Sequence, residues 1–370
     1  MRTRTLALTA TAALALTGCA PDGVLVTPDT MPAESLALVE AGLDALAARP
    51  IIALEGTQNS LTSNVDEVQV SWQVTAGGFA YGTAATGEYE TGMLSAEGLV
   101  FVRASEDFWL ADSNYEESVK GIGDDWARVY DQGWIDPGEF MTPPVYADGL
   151  REAMDEAGVF FRPLPEAVAY AGGLAHPVEV GEGTVHIAPD GAIVGIEGVA
   201  VTGLKETGVD FTGNVTFPDR AAVESLREEV LGEVATLGKV RWYDNIFSSL
   251  EDEQVDIDCA NGGVCTLSMK VGLPRAEEEK DDDFSFMVEL SARAWVTDGD
   301  EESCTDRAEV AAGKTVKLSC KARVRLTGDA ETWISGEGTA QMLYAIYRTD
   351  VAGLTEAVGG ELERTLAASG

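Results

Sequence analysis

Val68, Val70, Trp72 and Val74 alternate with Gln69, Ser71 and Gln73, and Gly77-Gly78 then leads into a second run from Phe79 to Thr86. A period of two sends successive side chains to opposite sides of a strand, so one face of this stretch is apolar and must be covered. Runs from Glu88 to Leu94 and from Leu99 to Arg103 extend the pattern. Together they predict a meander of antiparallel strands with one buried face. The remaining elements have to supply the cover.

Leu36, Val39, Leu43 and Leu46 fall at spacings of three and four before Pro50, which predicts an amphipathic helix. A second helical segment runs from Tyr146 to Glu156, after a less regular, Trp-bearing stretch from Phe108 to Phe140. Val185-His186-Ile187 and Ala192-Ile193-Val194 read as a hairpin through Asp190-Gly191, and strand-like alternation continues to Phe217. Asp219 is placed to cap a helix carrying Val223, Leu226, Val230 and Val234. Strands follow from Val255 to Leu326, a strand pair is predicted from Glu331 to Arg348, and a closing helix carries Leu354, Val358 and Leu362. The class expected is α+β, an antiparallel sheet packed on helices over residues 35–216, then a β-rich domain with flanking helices over 217–370.

The amino terminus and the cysteines bear on address. Arg2 and Arg4 precede an apolar run from Leu6 to Leu16, and Leu16-Thr17-Gly18-Cys19 closes it. Residues 1–18 look like a bacterial lipoprotein signal, Cys19 like the lipidated residue, and 19–34 like a tether; an ordinary secretory signal is the competing reading. The apolar run is too short to span a hydrocarbon layer of about 30 Å as a helix. Two or three acyl chains on Cys19, at about 0.8 kcal/mol per CH2, would hold the chain at the extracytoplasmic face of the cell membrane.

The other four cysteines, Cys259, Cys265, Cys304 and Cys320, form an even set suited to an oxidising compartment. Asn261-Gly262-Gly263 is a hairpin tip that would put Cys259 opposite Cys265, at a Cβ separation of about 4.5 to 5.5 Å. Cys304 and Cys320 then bracket Ala312-Gly313-Lys314. Chain-entropy arguments give roughly 2.4 and 3.1 kcal/mol for loops of these sizes. Four-cysteine zinc is the alternative, but neither pair has CxxC spacing.

Acidic residues number 63 against 25 basic, a formal net charge of -38. Such a surface repels phosphate backbones, so nucleic acid is excluded as a partner. The apolar content of 45% argues against general disorder. The chain has only two histidines, His176 and His186, and has no Gly-x-Ser-x-Gly elbow, P-loop, dinucleotide fingerprint or HExxH. The acidic runs from Glu277 to Asp283 and from Asp298 to Glu302 lack calcium-loop spacing. These features imply no catalytic residue, metal or cofactor.

The run Val68-Gln69-Val70-Ser71-Trp72-Gln73-Val74-Thr75-Ala76-Gly77-Gly78-Phe79-Ala80-Tyr81-Gly82-Thr83, the segment Leu99 to Ala104 before Phe108-Trp109, and Gly123-Asp124-Asp125-Trp126-Ala127-Arg128-Val129 carry a family likeness. With the lipid anchor and first helix, residues 35 to 215 resemble the mycobacterial LppX/LprG lipoproteins and related actinobacterial lipoproteins of LolA-like fold. The resemblance implies a half-barrel whose hollow holds acyl chains. Val70, Trp72, Val74, Leu94, Val100, Val102 and Phe108 would line that hollow, or fill a solid core in its place. The function expected is a lipid-anchored carrier of an acylated or other hydrophobic ligand. The alternative is a non-catalytic envelope protein that docks a protein partner. The acidic half with its disulfides has no counterpart in the short family members.

Overall fold

A computed structural model describes residues 33–58, 68–112, 119, 122–129, 136–159, 163–200, 210–243, 250, 255–260, 262–275, 283–296, 301–325 and 333–369. Cys19, the expected tether up to residue 32 and most of both acidic runs lie outside the described residues, and the last two tether positions belong to the first helix. The fold is mixed α+β, built on one 15-stranded sheet and a second sheet of three strands.

The predicted meander forms as β1 (Ile51–Gln58), β2 (Val68–Thr75), β3 (Ala80–Thr86), β4 (Tyr89–Ala96) and β5 (Leu99–Arg103), joined antiparallel. Its register aligns Leu54, Trp72, Gly82, Met93 and Val102 across neighbouring strands. Gly82 has a local reason: a Cβ there would meet the Ser71 carbonyl at 1.9 Å and the Trp72 ring at 2.8 Å. The indole occupies the room that any other side chain would need.

β5 pairs with β6 (Trp126–Val129) at one side of the meander. At the other, β1 pairs with β11 (Asp210–Thr216), followed outward by β10 (Ile193–Ala200), β9 (Gly183–Ile187), β8 (Gly173–Val180) and β7 (Val168–Tyr170). The expected Asp190-Gly191 turn joins β9 to β10, with Gly191 at φ 91°. Helices α1 (Ala33–Ala47), α2 (Glu106–Asp112), α3 (Pro137–Phe140) and α4 (Pro143–Glu156) belong to this half. α1 and α4 pack on each other and on β10.

Helix α5 (Arg220–Val234) starts where expected, with the Asp219 carboxylate accepting from the Ala222 N–H. Its apolar stripe, Val223, Leu226, Val230 and Val234, is buried, as are Leu354, Val358 and Leu362 of α6 (Val351–Ala368). Both stripes share a core with Phe79, Leu94 and Phe101 from the meander. β12 (Val240–Tyr243) lies between β6, to which it is parallel, and β18 (Ile334–Tyr347), to which it is antiparallel. β15 (Phe284–Val296) and β16 (Glu301–Ala311) complete that end of the sheet. The chain passes the boundary expected at 216/217 with both the sheet and this core continuous across it.

The small sheet is β13 (Asp256–Ala260), β14 (Val264–Gly272) and β17 (Thr315–Arg323). Leu267, Met269 and Leu318 from it meet Val288, Leu290 and Ala292 of β15 in a third core. The sandwich carries both expected disulfides, Cys259–Cys265 across a hairpin at Cα–Cα 4.0 Å and Cys304–Cys320 at 5.7 Å. The second bond ties β16 of the large sheet to β17 of the small one.

One expectation is corrected. Glu331 to Arg348 was expected as a strand pair, but its described residues form the single long strand β18. Gly336 and Gly338 mark close approach and not a turn. A Cβ on Gly336 would come within 2.8 Å of Ile257, and one on Gly338 within 2.9 Å of Ala292 and Val255.

Replacing Cys304 and Cys320 together by Ser is expected to lower unfolding free energy by about 3 kcal/mol, and the Cys259/Cys265 pair by about 2.4, from loop closure. Urea denaturation monitored by circular dichroism measures both. Equal losses, or a larger loss at the shorter loop, would contradict the entropic account.

Candidate functional site

The apolar stripe offered by the sequence separates into two sets. Val70, Trp72, Val74, Val100 and Val102 join one cluster with Val39, Leu43 and Leu46 of α1 and Tyr146, Leu150 and Met154 of α4. Phe108 packs against that cluster half-buried, its ring edge-on to Trp109 at 5.3 Å. Leu94 lies elsewhere. It contributes with Phe101 to the core under α5 and α6, while its neighbour Met93 joins Trp72. The sheet is covered on both faces here, so adjacent residues are both buried and the expected parity slips by one.

The first cluster is also where buried polar atoms lack partners. The Trp72 indole N–H, the Tyr146 hydroxyl and the Gln58 amide make no hydrogen bond among the described residues, and all three residues are at most 1% exposed. Burial pushes the Tyr146 phenol above its ordinary range. Of the two histidines, His186 also has a buried Nδ1 without a hydrogen-bond partner among the described residues. His186 is buried, stacked on Tyr170 with centroids 3.7 Å apart and its Nε2 3.1 Å from Glu197. His176 Nδ1 sits 2.8 Å from the Pro165 carbonyl. Among the described residues no group of three or more His, Cys, Asp and Glu is arranged to hold a metal, and no helix is long and apolar enough to cross a membrane.

A second location was not anticipated from sequence. Where β12 enters the sheet, a cleft of about 330 Å³ opens, walled by Arg241 and Tyr344 with Met287 and Ile346, and rimmed by Asp125 and Lys239. Register explains the grouping: Arg241 stands opposite Ala127 on β6 and Ile346 on β18, and Met287 stands opposite Tyr344. The Arg241 guanidinium lies over the Tyr344 ring, with Nη1 buried and without a hydrogen-bond partner. Burial pulls its pKa down, while Tyr344 pushes the other way. Lys239 is bound to Glu309, which also accepts from Ser285 at 2.7 Å and Arg348 at 2.6 Å. Partial burial would raise the Glu309 carboxyl, yet these donors win and hold its pKa at about 2.

Comparison with known proteins adds little to this geometry. No family model and no curated protein matches the chain. A solved structure, described as that of PNGF-II in a C2 space group, aligns over 81% of this chain and 68% of its own at 10% identity, with a TM-score of 0.17. Overlap that loose carries no argument about fold or function.

Tyr146→Phe removes an unpartnered buried hydroxyl and is expected to raise unfolding free energy by about 1 kcal/mol in urea titrations. A comparable loss would mean the hydroxyl has a partner in solution. For Glu309 the folded pKa lies below the ordinary 4.5, so its contribution is complete above that pH and fades as pH falls through about 2. The stability gap between wild type and Glu309→Gln should therefore shrink between pH 6 and pH 2; a constant gap would contradict it.

Proposed function

We propose that this chain is an exported protein held by acylated Cys19 at the extracytoplasmic membrane face, and that it binds a ligand or an envelope protein at its outer surface without catalysis. The observation that carries the reading is the closure of the apolar stripe. Val70, Trp72 and Val102 are buried in one cluster with residues of α1 and α4, in the positions where a carrier would present them to acyl chains. At about 25 cal/mol per Å² that surface already stabilises the fold, and a lipid would have to displace the helices to use it.

Two further features support the address. Both disulfides lie in the sandwich at the end of the sheet remote from β7, and they suit an oxidising compartment. The leader ending in Gly18-Cys19 supplies a way to reach one and stay at the membrane.

Mass spectrometry of protein recovered from membranes tests both parts. The Cys19 amino-terminal peptide is expected to carry diacylglycerol, and organic extraction of the folded protein is expected to release no stoichiometric non-covalent lipid. An unmodified Cys19 overturns the anchor. One acyl lipid per chain overturns the surface-acting reading in favour of a carrier.

A further inference from the structure

The cleft beside β12 is walled by an arginine that meets no carboxylate among the described residues. Arginines in this acid-rich chain find carboxylates readily: Arg103 meets Glu233 at 2.8 Å, Arg151 meets Asp148 at 2.7 Å, Arg227 meets Glu363 at 2.9 Å and Arg364 meets Glu361 at 2.8 Å. Arg241 forms no ion pair among the described residues, although acids outnumber bases 63 to 25. It is half-buried and lines the cleft; Nη1 is enclosed, so the donors a ligand would meet are the other N–H groups of the guanidinium. Tyr344 stacks on its flat face and also hydrogen-bonds to the guanidinium, which leaves its charge without a carboxylate partner among the described residues.

We infer that the cleft is a binding site for a small monocarboxylate with an apolar body, the carboxylate accepting from the Arg241 guanidinium and the body lying against Met287 and Ile346. The guanidinium fork matches a carboxylate in plane and in hydrogen-bond geometry, which a point charge does not. Lys239 adds positive charge at the rim, partly neutralised by Glu309. Asp125, exposed on the other side of the rim, disfavours a second negative charge and so selects monoanions over dianions. A volume of about 330 Å³ falls at the small end of the range for ligand pockets, which fits a ligand of about ten heavy atoms. The net charge of the chain repels anions at long range, so recognition depends on contacts inside the cleft and not on steering.

This inference gives a ligand class to the surface-acting reading and rests on it. The probe is octanoate, with neutral octanamide as its isostere, titrated calorimetrically into the folded protein after organic extraction. One octanoate per chain is expected, with octanamide at least tenfold weaker, and Arg241→Met is expected to abolish the difference while Arg241→Lys keeps part of it. If the Arg241 variants do not fold, Met287→Glu serves instead, since it places a negative charge in the same cleft and should weaken octanoate at least tenfold. Equal affinity for octanoate and octanamide, no binding of octanoate, or binding that survives both Arg241→Met and Met287→Glu would overturn the inference. None of these outcomes bears on whether acyl lipid copurifies with the chain, so the two proposals fail separately.

Discussion

Four residues, Val240–Tyr243, hold the molecule together by pairing on both sides. β12 joins β6 in parallel and β18 antiparallel, so strands from both ends of the chain share one sheet. Without it two strand edges would stand open, and the core containing Phe101, Leu226, Phe284 and Tyr347 would be divided between unconnected layers. Side chains reinforce the seam. Glu233 of α5 accepts from Arg103 at 2.8 and 3.0 Å and from the Trp126 indole at 2.8 Å, Tyr81 donates to Glu229 at 2.9 Å, and the Gly77 N–H donates to Glu361 of α6 at 2.9 Å. The carboxyl-terminal half thus supplies the helices that cover the outer face of the amino-terminal meander.

Charge follows the same plan. Exposed pairs such as Arg220–Glu224 each contribute only about 0.2 to 1 kcal/mol. Glu233 and Glu309 are more enclosed and collect several donors each, one at the junction of α5 with the meander and the other on β16, where Lys239 before β12, Ser285 of β15 and Arg348 after β18 converge. Scarce cations in a chain of -38 are therefore concentrated where elements from different parts of the sequence meet.

What could be read in advance was what depends on neighbours in sequence. Asn261-Gly262 placed Cys259 against Cys265, Asp219 capped α5, and the three- and four-residue spacings of Val223 to Val234 and Leu354 to Leu362 marked buried faces, all of them local signals. Non-local pairing left weaker traces. Val-Arg-Trp-Tyr is too short for a period, so β12 and its parallel partner were invisible, and Arg241 looked like any other surface cation. Leu94 was assigned to the wrong face because burial on both sides of β4 erases alternation. The steric reason for Gly336 and Gly338 lies about 45 to 80 residues away, in Ala292 and in the β13 region, so the expected strand pair over Glu331 to Arg348 had no local signal to correct it. The cleft depends on all of these non-local terms together, which is why no motif announced it.

The two faces of the large sheet then account for where binding can occur. One side of the amino-terminal half is consumed by α1 and α4, and the other by α5 and α6. In the carboxyl-terminal half the small sheet covers the side bearing Val288 and Leu290. Glu289 and Arg293 of the same strand point to the opposite side, where Arg307 and Glu337 pair with them. That side carries polar pairs in place of an apolar layer, so no further helix is drawn onto it. At its inner end the pairs give way to Met287, Tyr344 and Arg241, and there the sheet passes from antiparallel to parallel pairing at β12. The recess at this junction is therefore half polar, walled by Arg241 and Tyr344 on one strand pair and by Met287 and Ile346 beside them.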